Sequence, residues 1–293
     1  QQEFAQRLAK WAKTPAIQEL LAQQLQPEQA AKVPTAARIA LQAMASAGVK
    51  ETPASWSAAL ARLLAQGPEE LIAPALTAVR ALPAAKQPDG ALSAILIQLA
   101  SSPTAKPDVR LSAAAAIPNG RRELNDAEFQ FLLAHSAAEK PTHQRTDAVE
   151  GLLRAKLTQP QLREIAIGLK AAGPLEFDRL LDVFQQTTTD EIGLLVAAHF
   201  LDIAKQRGLR GEQLRPRLAK YGPQVQAAVT ELTAKLNVDA EQQHQRLEAL
   251  LAKLSSGDVR RGQAVFQRTK SACTACHAMA YVGGKVGPDL TRI

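Results

Sequence analysis

The sequence predicts an all-α protein, and three observations carry that prediction. Hydrophobic residues make up 46% of the 293 residues but aromatics only 4%, so the apolar material is mostly Ala and Leu. These side chains favour closely packed helices, whereas strands favour β-branched and aromatic ones. Through residue 255, helix-compatible segments alternate with short punctuation such as "AQGPEE", "SSPTAKPD", "AAGP" and "KYGPQ", a spacing that implies helices of about three turns joined by short loops. Apolar residues also recur at helical intervals, as in Phe4, Leu8, Trp11 and then Ile17, Leu20, Leu21, Leu25, an amphipathic stripe expected to face a core.

Within residues 1–255, segments beginning near Arg38, Leu76, Arg110, Arg145, Leu194 and Val225 resemble one another. Steps of roughly 30–50 residues, each holding two helices, predict an α-solenoid in which every pair buries its apolar face on the next. The pattern resembles HEAT repeats, with an irregular helical bundle as the alternative. Trp11 and Trp56 read as packing anchors. His135, His143, His199 and His244 are isolated from one another, with no partner at metal-ligand spacing; His199, in "LLVAAHFL", reads as a core histidine. No pair of carboxylates stands out for acid–base work.

The net charge of +7 is mixed along the chain without long basic runs, which disfavours nucleic acid as a partner. No apolar stretch reaches the roughly 18 residues of a membrane span, and the start has no signal-peptide pattern.

From Ser255 onward the composition changes: "SSGDVRRGQAVFQRTKSACTACHAMAYVGGKVGPDLTRI". Ser-Ser-Gly-Asp supplies a linker and an N-cap at Asp258, before a short helix bearing Val259, Gly262 and Phe266. The chain's only two cysteines, Cys273 and Cys276, then precede His277. Cys-x-x-Cys-His sets two thiols about one helical turn apart with an imidazole adjacent, as haem attachment requires. A structural zinc ion would need a fourth protein ligand, and a redox dithiol a βαβ context; neither is visible in the sequence.

The ordered set Gly262-x-x-x-Phe266, Cys273-x-x-Cys276-His277 and Gly287-Pro288-Asp289-Leu290 resembles a class I c-type cytochrome domain. That resemblance implies one covalent haem c, attached through Cys273 and Cys276 and ligated by His277. It also implies a Pro288 carbonyl that accepts from the His277 Nδ1–H, Leu290 lying over the porphyrin, and close packing of the first helix, through Gly262 and Phe266, against the domain's last helix. Helical repeats followed by such a segment are similar to the multidomain haem-binding proteins of the Planctomycetes–Verrucomicrobia type. The expected architecture is therefore a HEAT-like domain over 1–255 and a truncated cytochrome c domain over 256–293, with the chain a fragment of a longer protein.

Met279 lies too close to His277 in sequence to serve the opposite haem face, and Met44 lies far away, so the resemblance leaves the sixth ligand open. Residues 257–293 hold Arg260, Arg261, Arg268, Lys270, Lys285 and Arg292 against Asp258 and Asp289, a basic rim suited to an acidic redox partner or a dehydrogenase domain, or else an ordinary solvated surface. The expectation is a periplasmic or otherwise extracytoplasmic electron-transfer module, since haem c is attached outside the bacterial cytoplasm. A protein-binding scaffold with a vestigial haem site, and open-site haem catalysis, are the alternatives.

Overall fold

In a computed structural model, the protein is mostly helical, with 72% of residues in helix and, among the described residues, one two-stranded sheet. The structure describes residues 2–83, 90–117, 122–173, 175–207, 209–253, 257–268, 273–280, 282–284 and 287–291. It divides into two compact units, Gln1–Ala234 and Lys235–Ile293. The division falls inside a long helix, α14 (Pro223–Leu251), ahead of the change in composition at Ser255, which itself lies outside the described residues.

The first unit starts with α1 (Gln2–Trp11), α2 (Pro15–Gln24), α3 (Pro27–Lys32) and α4 (Pro34–Ala45). Prolines open α2, α3 and α4, where a missing N–H costs nothing and the fixed φ is already helical. Next come α5 (Ala54–Gln66), α6 (Glu69–Ala81), α7 (Gly90–Ser101) and α8 (Pro107–Ala116), then α9 (Asp126–His135) and α10 (Thr142–Arg154). After these follow α11 (Gln159–Gly168), α12 (Phe177–Leu180) and α13 (Asp190–Arg207). Reciprocal capping boxes start α9 through Asn125 and Glu128, and α11 through Thr158 and Gln161, each satisfying two otherwise orphaned donors.

Neighbouring helices pair as α5 with α6, α7 with α8 and α9 with α10. The second members also pack in succession, α4 on α6, α6 on α8, α8 on α10 and α10 on α12. Arg38, Leu76, Arg110 and Arg145 fall one on each of α4, α6, α8 and α10, so the similar segments occupy equivalent places. Alanine is what permits this approach: Ala113, Ala114, Ala115 and Ala116 of α8 are all buried.

Polar side chains tie each pair to the next. The Trp56 indole N–H donates to the Gln18 carbonyl at 2.9 Å, Arg154 to the Ile117 carbonyl at 2.8 Å, and the Tyr221 hydroxyl to the Phe184 carbonyl at 2.7 Å. Burial pushes the Tyr221 hydroxyl well above its ordinary pKa. Arg145 pairs with the buried Glu176 at 2.9 Å. Glu128 accepts from Ser101 and is held by Arg122 at 3.0 Å. Burial alone would raise the Glu128 carboxyl, but Ser101, Arg122 and the Asn125 N–H more than offset it, and the net shift is down.

Trp56 is fully buried, as expected of an anchor. Trp11 is not: it is 67% exposed and Phe4 is 56% exposed. The helix instead turns Ala5 and Ala9 inward and packs on α4. The small stripe allows a close approach that the large stripe, roughly a quarter-turn around the helix, would prevent. Met44 is fully buried in α4 as a core side chain, and His199 in α13 is half-buried.

The second unit contains α15 (Val259–Gln267), α16 (Cys273–Cys276) and a hairpin of β1 (Ala278–Met279) and β2 (Val282–Gly283). Asp258 caps α15 by accepting from the Arg261 N–H at 2.9 Å. No described helix is long and apolar enough to cross a membrane.

Candidate functional site: Cys273, Cys276, His277 and the loop that faces them

The site is built on one turn of helix. In α16 the thiols of Cys273 and Cys276 stand three residues apart, both outside any disulfide, Cys273 half-buried and Cys276 exposed. The His277 N–H donates to the Cys273 carbonyl at 3.0 Å, so the imidazole emerges where the helix ends and β1 begins.

A returning loop runs back along this turn. Gly284 N–H donates to the Thr274 carbonyl at 2.7 Å, Gly287 N–H to the Cys276 carbonyl at 2.7 Å, and Leu290 N–H to the Ala278 carbonyl at 2.8 Å. Between these rungs the His277 Nδ1 lies 2.9 Å from the Pro288 carbonyl oxygen. That oxygen can only accept, so Nδ1 carries a proton, and in the neutral ring this tautomer leaves the lone pair on Nε2. Among the described residues Nε2 makes no hydrogen bond.

Glycine makes the geometry possible. A Cβ at Gly287 would lie 2.6 Å from His277 Cε1 and 2.7 Å from Nδ1, so the ring rests directly on the loop backbone. Gly283 has φ +125°, and a Cβ there would come 2.1 Å from the His277 carbonyl oxygen. Neither glycine was singled out as a site residue by the motif, which gave Gly287 only as part of Gly-Pro-Asp-Leu.

Cys273, Cys276, His277, Pro288 and Leu290 are thus brought together on one turn and one loop. Pro288 is exposed and Leu290 half-buried. Phe266 is half-buried on α15, which lies against α16. At Gly262, on α15, an added Cβ would meet nothing within 4 Å among the described residues. Met279 sits in β1, half-buried. Arg260, Arg261 and Arg268 are exposed, while Lys270, Lys285 and Arg292 lie outside the described residues.

Three of the four other histidines have side-chain or ring partners away from this site. His135 stacks on Phe131 at 4.3 Å between centroids, His143 lies 3.3 Å from Asp108, and His244 lies 3.5 Å from Glu248. Among the described residues no three His, Cys, Asp or Glu side chains are grouped as a metal-ion site requires. No protein family, curated protein or solved structure matches this chain.

Proposed function

We propose that the chain is an extracytoplasmic c-type cytochrome module carried on a HEAT-like α-solenoid, with one-electron transfer as its chemistry. The observation that carries this reading is the 2.9 Å bond between His277 Nδ1 and the Pro288 carbonyl, beside two thiols on one helical turn. A hydrogen bond that fixes the tautomer and leaves Nε2 as the donor atom is how a ligating histidine is prepared.

The donor set fits haem c. Cys273 and Cys276 would hold the porphyrin through two thioethers, and His277 would ligate the iron through Nε2. Leu290 and Phe266, both half-buried, supply apolar surface that a porphyrin face would cover. When bound, the haem supplies a one-electron iron couple whose potential is set by axial ligand, hydrogen bonding and exposure. Pro288, by accepting from Nδ1–H, raises the basicity of the imidazole and so favours the oxidised state.

Successive packing of α4, α6, α8 and α10 with recurrent polar ties supports the solenoid reading, in which each pair contacts its neighbours alone. Exposed Arg260, Arg261 and Arg268 favour an acidic redox partner or dehydrogenase domain. Thioether formation outside the bacterial cytoplasm gives the periplasmic location.

The test is the absorbance spectrum of protein co-expressed with a haem-maturation system. A sharp α-band on reduction supports electron transfer. A colourless protein contradicts the proposal, and a high-spin spectrum that shifts with carbon monoxide moves it to open-site chemistry.

A further inference from the structure

Beyond His277 and its carbonyl partner, the loop holds a second layer of hydrogen bonds. The Asp289 carboxylate accepts from the Thr291 N–H at 2.8 Å and from the Thr291 hydroxyl. That hydroxyl in turn accepts from the Ala280 N–H at 2.9 Å. Ala280 has φ +51°, a left-handed conformation that a non-glycine residue adopts only when its surroundings enforce it. Asp289 and Thr291 therefore join the turn that leaves β1 to the segment that carries Pro288.

The placement of these bonds gives them a purpose. Gly287 and Leu290 anchor the loop by their N–H groups on either side of Pro288. Proline has no N–H to offer, so it donates no rung of its own, and among the described residues its carbonyl is engaged by the His277 ring alone. The orientation of that carbonyl depends on the residues that follow it, and the first two with side-chain bonds are Asp289 and Thr291. Asp289 also has its carboxyl held below the ordinary range by the Thr291 hydrogen bonds.

We propose that Asp289 and Thr291 are positioning residues: through the chain Asp289–Thr291–Ala280 they hold the Pro288 carbonyl on His277 Nδ1 and thereby set the tautomer and basicity of the proximal imidazole. This rests on the cytochrome reading for its consequence at the iron, but not for its consequence at the ring. Thr291→Val keeps the shape and removes both hydroxyl bonds. Thr291→Ser keeps the hydroxyl. Asp289→Ala removes the acceptor.

Two measurements on the full chain test it. In haem-free protein, long-range ¹H–¹⁵N correlation of the His277 ring is expected to show the Nδ1–H form in the parent and in Thr291→Ser. Thr291→Val and Asp289→Ala are expected to shift the ring toward a mixture with Nε2–H, with far-UV helical signal unchanged. In haem-loaded protein, the reduction potential is expected to rise in Thr291→Val and Asp289→Ala and to return in Thr291→Ser, because a poorer imidazole donor stabilises the oxidised iron less. A mixed tautomer in the parent, or a Thr291→Val ring identical to the parent, overturns the proposal. So does a Thr291→Ser variant as perturbed as Thr291→Val. If the parent retains no haem, the cytochrome reading fails by itself, and the ring measurement still decides the role of Asp289 and Thr291.

Discussion

Replacing Gly287 by Ala tests whether the contact between loop and imidazole controls the site. The new Cβ would lie 2.6 Å from His277 Cε1, 2.7 Å from Nδ1 and 3.1 Å from Nε2. Carbon atoms in contact prefer about 3.5–4.0 Å, so the ring or the loop must yield by about 1 Å. The Nδ1 to Pro288 bond at 2.9 Å tolerates only about 0.3 Å of lengthening before it leaves the usual range. The loop is pinned by Gly287 and Leu290 on either side, so the ring is the part that moves and the bond is lost. That bond contributes about 1 kcal/mol, and losing such a support typically weakens metal ligation by about 10–100-fold. In haem-loaded protein, the ratio of released to ligating His277, read from the His277 ring resonances, should rise by the same factor. A Gly287→Ala protein that holds His277 as tightly as the parent refutes this reasoning.

Three further outcomes concern the helical unit. Glu128→Ala leaves the Arg122 guanidinium without its carboxylate, while the Ser101 hydroxyl keeps the Ile97 carbonyl at 2.8 Å, and should cost about 3 kcal/mol, lowering the thermal midpoint of this unit by about 6–12 °C. The Glu128 carboxyl sits below its ordinary 4.5, so its contribution is complete above that pH and fades as pH falls through the depressed value; the acid limb of the parent's stability curve should therefore flatten in Glu128→Ala. Trp56→Ala, which empties a fully buried site, should cost about 3–5 kcal/mol in urea unfolding, whereas Trp11→Ala at an exposed site should stay within about 0.5 kcal/mol. Equal costs for the two tryptophans would contradict the packing of α1.

Much of this was legible in the residues. Alanine and leucine with few aromatics announce helix, and Pro or capping residues mark helix starts at Pro34, Pro107, Thr158 and Asp258. Four of the six similar segments, those at Arg38, Leu76, Arg110 and Arg145, fall on helices α4, α6, α8 and α10, which pack in succession. The face of α1 was misjudged because Phe4, Leu8 and Trp11 share a helical stripe with the right period. Periodicity finds an apolar face without saying which of two is packed, and Ala5 and Ala9 form the other.

At the site, Cys-x-x-Cys-His and Gly-Pro-Asp-Leu predicted a histidine held by a proline carbonyl, and the 2.9 Å distance has that arrangement. The roles of Gly283, Gly287, Asp289 and Thr291 were not legible. Each depends on the returning loop lying against α16 and the hairpin, a register that no local sequence pattern encodes.

The most direct measurement of the central claim is the intact mass of the full chain, purified under denaturing conditions after co-expression with a haem-maturation system. The proposal requires the mass of the polypeptide plus one haem, with that increment lost in a Cys273→Ala, Cys276→Ala double variant whose helical content is unchanged. A parent chain at the bare polypeptide mass, or an increment that persists without the two cysteines, would contradict it.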